Sequence, residues 1–262
     1  MSRQAAAVWD PAQYGVFGAE RARPFAELTA RLGGAPPARV ADLGCGSGEL
    51  TATLAARWPD AVIDAVDRSP EMIAAARAHA IPGRLAFRVA DVASWEPDRP
   101  LDLVISNAVL HWVPGHPDLL PRWVGSLAPG GRLAFQVPGN FGAPSHVLLR
   151  EMGRSERWRA GLGHLQHDAP VLDPAGYVAL LAGLGCSVDA WETTYAHVLH
   201  GDDPVLEWVK GSALRPVLSA LPPAEAEEFL AEYGERLRRA YPAGPHGTVF
   251  PFRRIFVIAT AP

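Results

Sequence analysis

Five short apolar runs mark the first half of the chain: RVADLG (39–44), AVIDAVD (61–67), LAFRVAD (85–91), LDLVISN (101–107) and RLAFQVP (132–138). They are rich in Val, Ile, Leu and Phe and do not alternate cleanly with polar residues, the pattern of strands buried on both faces. Between them the apolar positions return at helical spacing. Leu50, Leu54 and Trp58 recur every four residues and predict one stripe of a helix. Met72, Ile73 and Ala76 predict a second helix, with Ser69 as N-cap and Pro70 as first helical residue. Strands and helices in alternation predict an α/β domain whose parallel sheet is covered on both sides. Ligands of such open sheets bind beyond the carboxyl ends of the strands.

After Pro138 the rhythm changes. Residues 173–185 read as a helix, with Asp173 as N-cap, Pro174 after it and a glycine end. Residues 187–199 read as a strand. Segments 203–214 and 222–241 carry helical stripes after prolines, and in the second Phe229, Tyr233 and Leu237 share one face. FRRIFVIAT (252–260) reads as a last strand. The expected organisation is a single domain. Its core spans 30–140, its lid 1–29, and helical insertions at 140–185 and 200–245 cover a substrate.

Composition narrows the picture. The chain has 262 residues, 48% hydrophobic and 20% charged, a globular balance. It holds no apolar run long enough to span a membrane, and MSRQAAAVWDPAQYG lacks the apolar core of a secretory signal. Two cysteines, Cys45 and Cys186, one of them in the glycine loop, argue against a structural disulfide and point to a reducing cytoplasm. A net charge of −4 argues against nucleic acid as partner. His164, His167, His197 and His200 have no spacing that joins them to a third ligand, so no metal site is expected.

The first run leads into VADLGCGSGEL (40–50), with Gly44, Gly46 and Gly48 at every second position. A glycine loop between strand and helix lets a ligand approach the backbone, and the helix start adds unpaired N–H groups. A dinucleotide fingerprint needs its third glycine one residue later, where this chain has Glu49. An acid there also repels a pyrophosphate. Asp42, just before the loop, suits a positively charged group. Asp67, nineteen residues past Gly48, can accept from both hydroxyls of a ribose, and Asp91 can reach an adenine amino group. Singly, each feature is as well explained by a tight turn or a helix cap. In this order they suit a cationic nucleoside, S-adenosylmethionine.

VADLGCGSGEL, DAVDRSPEMI, VADVASW and LDLVISNAVLHWVP resemble the successive motifs of the class I S-adenosylmethionine-dependent methyltransferases. The resemblance implies a Rossmann-like, seven-stranded methyltransferase sheet with its last strand antiparallel, helices on both faces and a helical insertion over the substrate. It places Asp42, Gly44, Cys45 and Gly46 at the methionine end, Asp67 and Arg68 at the ribose, and Asp91 and Val92 around the adenine. Asn107 would face the methyl-transfer region. Segments outside the core, among them HVLLREM, WVKGSALRP and FPFRRIFVIAT, resemble members that esterify a small polycarboxylate. The implied reaction is methyl transfer to a carboxylate of trans-aconitate or a similar acid. His111 departs from the pattern, standing where an amide is expected.

The chemistry is consistent with these residues. A carboxylate acceptor is already ionised at pH 7, so no general base is required. Asn107 and His111 are positioning candidates, and His111 would be the base for an alcohol acceptor. The non-reacting carboxylates need arginines, whose planar fork matches them. Candidate substrate residues are Tyr14, Arg21, His111, Trp112, Arg215 and Arg253, while Arg23, Arg254 and Phe17 read as structural. Rival readings are methyl transfer to a phenol, amine or carbon acceptor, and cofactor binding without catalysis. A nicotinamide dehydrogenase fits less well, because of the glycine spacing and Glu49.

Overall fold

The computed structural model describes residues 18–165 and 171–262. Its seven strands are β1 (Arg39–Leu43), β2 (Val62–Asp67), β3 (Leu85–Val89), β4 (Leu101–Asn107), β5 (Leu127–Pro138), β6 (Ser187–Leu199) and β7 (Thr248–Thr260). They form one sheet in the order β3-β2-β1-β4-β5-β7-β6. The first five are parallel, and β7 runs antiparallel to β5. This is the sheet the resemblance implies.

The central strands are buried as their composition predicts: in β1 only Arg39 keeps some exposure, and Leu103, Val104 and Ile105 of β4 are fully buried. The edge strands β3 and β6 instead alternate in exposure over part of their length, the pattern of strands with one face packed and the other solvated. Two strands start earlier than their apolar runs suggest. β5 takes in Leu127–Gly131, where the register shifts between the pairs Leu101–Leu127 and Leu103–Arg132. β7 begins at Thr248 and contains Pro251. Pairing with β5 starts only at Arg254, so the proline lies where β7 has lost that partner and its missing N–H breaks no bond to it.

Two helices begin where caps predict. The Ser69 side chain accepts from the Met72 N–H (3.2 Å) and starts a helix at Pro70–Ala76, with Met72, Ile73 and Ala76 buried. Asp173 accepts from Gly176 N–H (2.7 Å) and starts Pro174–Ala182. In the long helix Pro223–Ala240, Phe229, Tyr233 and Leu237 are buried together. The helix after the glycine loop, Glu49–Arg57, turns its stripe inward, with Leu54 and the C-capping Trp58 buried, and Thr51 and Ala55 widen that face. Leu50 is half-buried.

By backbone proximity the chain divides into two compact units. The sheet unit holds Ala19–Pro138, residues 171–193 and Arg254–Pro262. Its core includes Leu43, Val104, Trp123, Phe135, Tyr177 and Val257. The described part of the helical unit is 139–165 and 194–253, with its own core of Met152, Trp208, Phe229, Tyr233 and Phe250. No described helix is long and apolar enough to cross a membrane.

Candidate active site

The strand order reverses direction between β1 and β4, the neighbours at the middle of the sheet. Crossovers then leave on opposite faces, and a crevice opens at the carboxyl ends. The glycine loop follows β1 at that crevice. Gly44, Gly46 and Gly48 all take positive φ (87°, 55° and 81°). They serve different ends. A Cβ on Gly44 would collide with the Val109 side chain, and one on Gly48 would meet Ala76 and the Phe87 ring at 2.9 Å. Gly46 alone has nothing within 4 Å of where a Cβ would stand. Close approach by a ligand is therefore possible at Gly46, while its neighbours let the chain pack on itself.

Asp67, the last residue of β2, fixes the loop from below. Its Oδ2 accepts from Gly46 N–H (3.0 Å) and its Oδ1 from Ser69 N–H (2.9 Å). A carboxylate has about four acceptor positions, so the half-buried Asp67 keeps capacity for two hydroxyls. Asp42 is 2% exposed. Its Oδ2 accepts from Thr51 Oγ1 (2.6 Å), and its buried Oδ1 has no hydrogen-bond partner among the described residues. Burial pushes its pKa up to about 7, the Thr51 hydroxyl opposes that, and the nearby Asp67 charge adds to it. An orphaned buried acceptor of this kind costs free energy until a donor reaches it. A cationic amine would supply one.

Cys45 is held as a thiol: burial raises its pKa far above the ordinary value, and the negative charges of Asp42 and Asp67 raise it further. It is no nucleophile here. Two carboxylates under an open backbone position repel phosphate and suit a positively charged ligand. The residues present thus fit S-adenosylmethionine.

On the other side of the crevice, Asn107 closes β4. Its Oδ1 accepts from Gln136 Nε2 (2.7 Å). Ala108 follows with φ 58°, a left-handed conformation that is strained in a non-glycine residue. Its N–H donates to Gln136 O (3.0 Å). Val109 then fills the space against Gly44. His111 and Trp112 sit half-buried on a short 3₁₀ turn, their ring centroids 4.8 Å apart.

The structure brings Asp42, Gly44, Cys45, Gly46, Asp67 and Asn107 to the carboxyl ends of adjacent strands. Arg68 is exposed beside Asp67. Asp91 lies two residues past β3, exposed, with Oδ1 accepting from Ala93 N–H (2.8 Å). Val92 is buried in the core of the sheet unit. Arg215 opens the helix Arg215–Ala220 in the helical unit and is half-buried. Arg253, in β7, is locked by Asn140, whose Oδ1 accepts from Arg253 N–H (2.6 Å) and whose Nδ2 donates to Arg253 O (2.9 Å). Tyr14 and the Arg21 side chain lie outside the described residues. Sequence reasoning passed over Thr51 and Gln136. Thr51 gives little signal, but Gln136 is a polar residue inside the run RLAFQVP, and a buried polar residue is the informative kind. No cluster of metal ligands occurs among the described residues.

Sheet order and glycine loop together define the architecture of a class I methyltransferase. A family described as a methyltransferase domain matches residues 40–131. The trans-aconitate 2-methyltransferase of Streptomyces avermitilis is 57% identical over 258 residues, 96% of each chain. Its namesake in Mycolicibacterium gilvum is 51% identical over 96% of this chain and 98% of its own. Among solved structures, YcgJ of Bacillus subtilis superposes with a TM-score of 0.58 at 12% identity, covering 91% of this chain and 98% of its own. A phosphoethanolamine N-methyltransferase of Haemonchus contortus, crystallised with S-adenosylmethionine, gives 0.54 at 17% identity, over 92% of this chain and 52% of its own. The chain belongs to the trans-aconitate 2-methyltransferase family of S-adenosylmethionine-dependent enzymes.

Proposed function

We propose that the protein transfers a methyl group from S-adenosylmethionine to a carboxylate of trans-aconitate, forming the monomethyl ester. The observation that carries this reading is identity above half, over almost the whole chain, with enzymes of that name. When bound, S-adenosylmethionine supplies a methyl group already activated on a sulfonium. Asp42 is assigned to its amino group, Gly44, Cys45 and Gly46 to the methionine end, and Asp67 with Arg68 to the ribose. Asp91 and Val92 are assigned to the adenine. The acceptor is ionised at neutral pH, so the chain's task is to orient one carboxylate oxygen in line with the S–CH₃ bond. Tyr14, Arg21, His111, Trp112, Arg215 and Arg253 are assigned to holding the acid, with arginines on the carboxylates that do not react. The enzyme is assigned to the cytoplasm, with a small polycarboxylate rather than nucleic acid or membrane as partner.

The test is transfer of labelled methyl to trans-aconitate, cis-aconitate, citrate and isocitrate, with Arg215→Ala alongside. The expected product is an ester whose label alkali removes, with trans-aconitate preferred. The variant is expected to lose roughly thirty-fold or more in kcat/KM. An alkali-stable methyl would mean a different acceptor chemistry. Tight cofactor binding without turnover would mean a non-catalytic protein. Equal turnover of all four acids, unchanged by the variant, would remove the substrate assignment.

A further inference from the structure

We propose that Gln136 is a positioning residue, which sets the polarity of the Asn107 amide so that its NH₂ end faces the candidate site. This inference rests on the acceptor being a carboxylate. Gln136 is 1% exposed, between Phe135 and Val137, which are both fully buried. A buried carboxamide is costly unless its ends are bonded. Asn107 and Gln136 are register partners across β4 and β5, and Pro138 partners Arg254 across β5 and β7. Gln136 and Pro138 share a face of β5, being two residues apart. The buried Arg254 is thus a diagonal neighbour of Gln136 on that face.

The order of donors follows from the guanidinium. Arginine donates only. Arg254 Nη1 donates to Gln136 Oε1 (3.5 Å), a long bond that selects an orientation more than it adds strength. Gln136 Nε2 must then point the other way, and it donates to Asn107 Oδ1 (2.7 Å). The opposite orientation would set the Gln136 NH₂ group against the guanidinium, donor against donor. With Oδ1 committed, Asn107 has its two N–H donors left, and they engage no other described group. A line of three residues therefore turns a fixed positive charge into a donor at the end of β4. A carboxylate is attracted by that end and repelled by a carbonyl oxygen. This gives Gln136 a reason to interrupt an apolar strand.

Gln136→Glu replaces the donor by a second acceptor, so Asn107 must reverse and present Oδ1. Gln136→Met removes the constraint at similar volume. The first readout is exchange of side-chain amide protons with water, followed by NMR. In the parent, the Gln136 NH₂ is expected to exchange slowly and that of Asn107 rapidly, and Gln136→Glu is expected to slow Asn107. The second is kinetic: KM for trans-aconitate rises roughly 10- to 100-fold in Gln136→Glu and less in Gln136→Met. Affinity for S-adenosylhomocysteine stays within about threefold in both. An Asn107 amide already protected in the parent, or unchanged by Gln136→Glu, overturns the inference. So does a KM within about twofold of the parent in both variants. A parent that never methylates trans-aconitate overturns the proposed function instead, and the exchange experiment still decides the polarity.

Discussion

At the scale of single residues, the three loop glycines separate what packing needs from what the ligand needs. Gly44→Ala forces a Cβ into Val109 at a positive φ, so it should destabilise the fold by about 2 kcal/mol or more. Gly46→Ala meets no protein atom and pays only its backbone strain, about 1 kcal/mol. It should keep its fold and lose affinity for S-adenosylhomocysteine. Thermal unfolding and calorimetric titration of both variants check this, and equal affinity losses with equal melting temperatures would contradict it. Asp42 separates stability from binding in the same way. Its folded pKa of about 7 lies above the unfolded value of 3.8, so the folded state holds a proton that the unfolded chain releases between those values. Its contribution is therefore fully present below about pH 4 and is lost as pH rises through 7. Asp42→Asn should melt higher than the parent at pH 8, with the difference shrinking toward pH 5, and should bind the cofactor more weakly. A difference in melting temperature independent of pH would show that burial of this charge is not its cause.

At the scale of elements, the parts legible in the sequence were those with a local cause. Ser69 and Asp173 cap their helices through their own side chains, and the central strands carry unbroken apolar runs. The helices Pro144–Arg154 and Arg215–Ala220 have no side-chain cap bond and only a proline in the first turn to mark them, and how they pack is announced by no local pattern. The same holds for the tie between the 3₁₀ turn His116–Leu119 and the helix Pro174–Ala182. There His116 Nε2 and Tyr177 Oη lie 2.8 Å apart, both rings buried. Burial lowers the His116 pKa to about 4, against a smaller opposing effect of Asp118. The unfolded imidazole takes up its proton near pH 6.5 and the folded one only near 4, so stability falls as pH drops across that window. The sum is at most about 3 kcal/mol. The slope is opposite to that of Asp42 over nearly the same range, and the two largely cancel in the parent. Single variants uncouple them. Urea unfolding at pH 7 and pH 4.5 should show His116→Gln gaining stability in acid relative to the parent, and Asp42→Asn losing it. Identical pH slopes in all three proteins would refute both assignments.

At the scale of the whole molecule, the candidate cofactor residues were readable because motif order along the chain becomes neighbour order in the sheet. Asp42 is the second-last residue of β1, Asp67 ends β2 and Asn107 ends β4, and these three strands are adjacent. Gln136 escaped notice because its role depends on Arg254, 118 residues away and reached only through β7. The candidate cofactor residues all belong to the sheet unit, and that unit has a core separate from the helical unit's. A ligand stabilises what binds it, by about 2.7 kcal/mol at a hundred times its dissociation constant. Openings that break the site are suppressed by that amount, and openings that leave the site intact are not. Backbone hydrogen exchange with and without S-adenosylhomocysteine should then show added protection at 42–48, 67–69 and along the buried strands β1 and β4. Amides around Met152, Trp208 and Phe229 should gain markedly less. Equal gains in both cores would mean that every opening able to break the site also unfolds the helical unit, and cofactor binding could then no longer be assigned to the sheet unit's own stability.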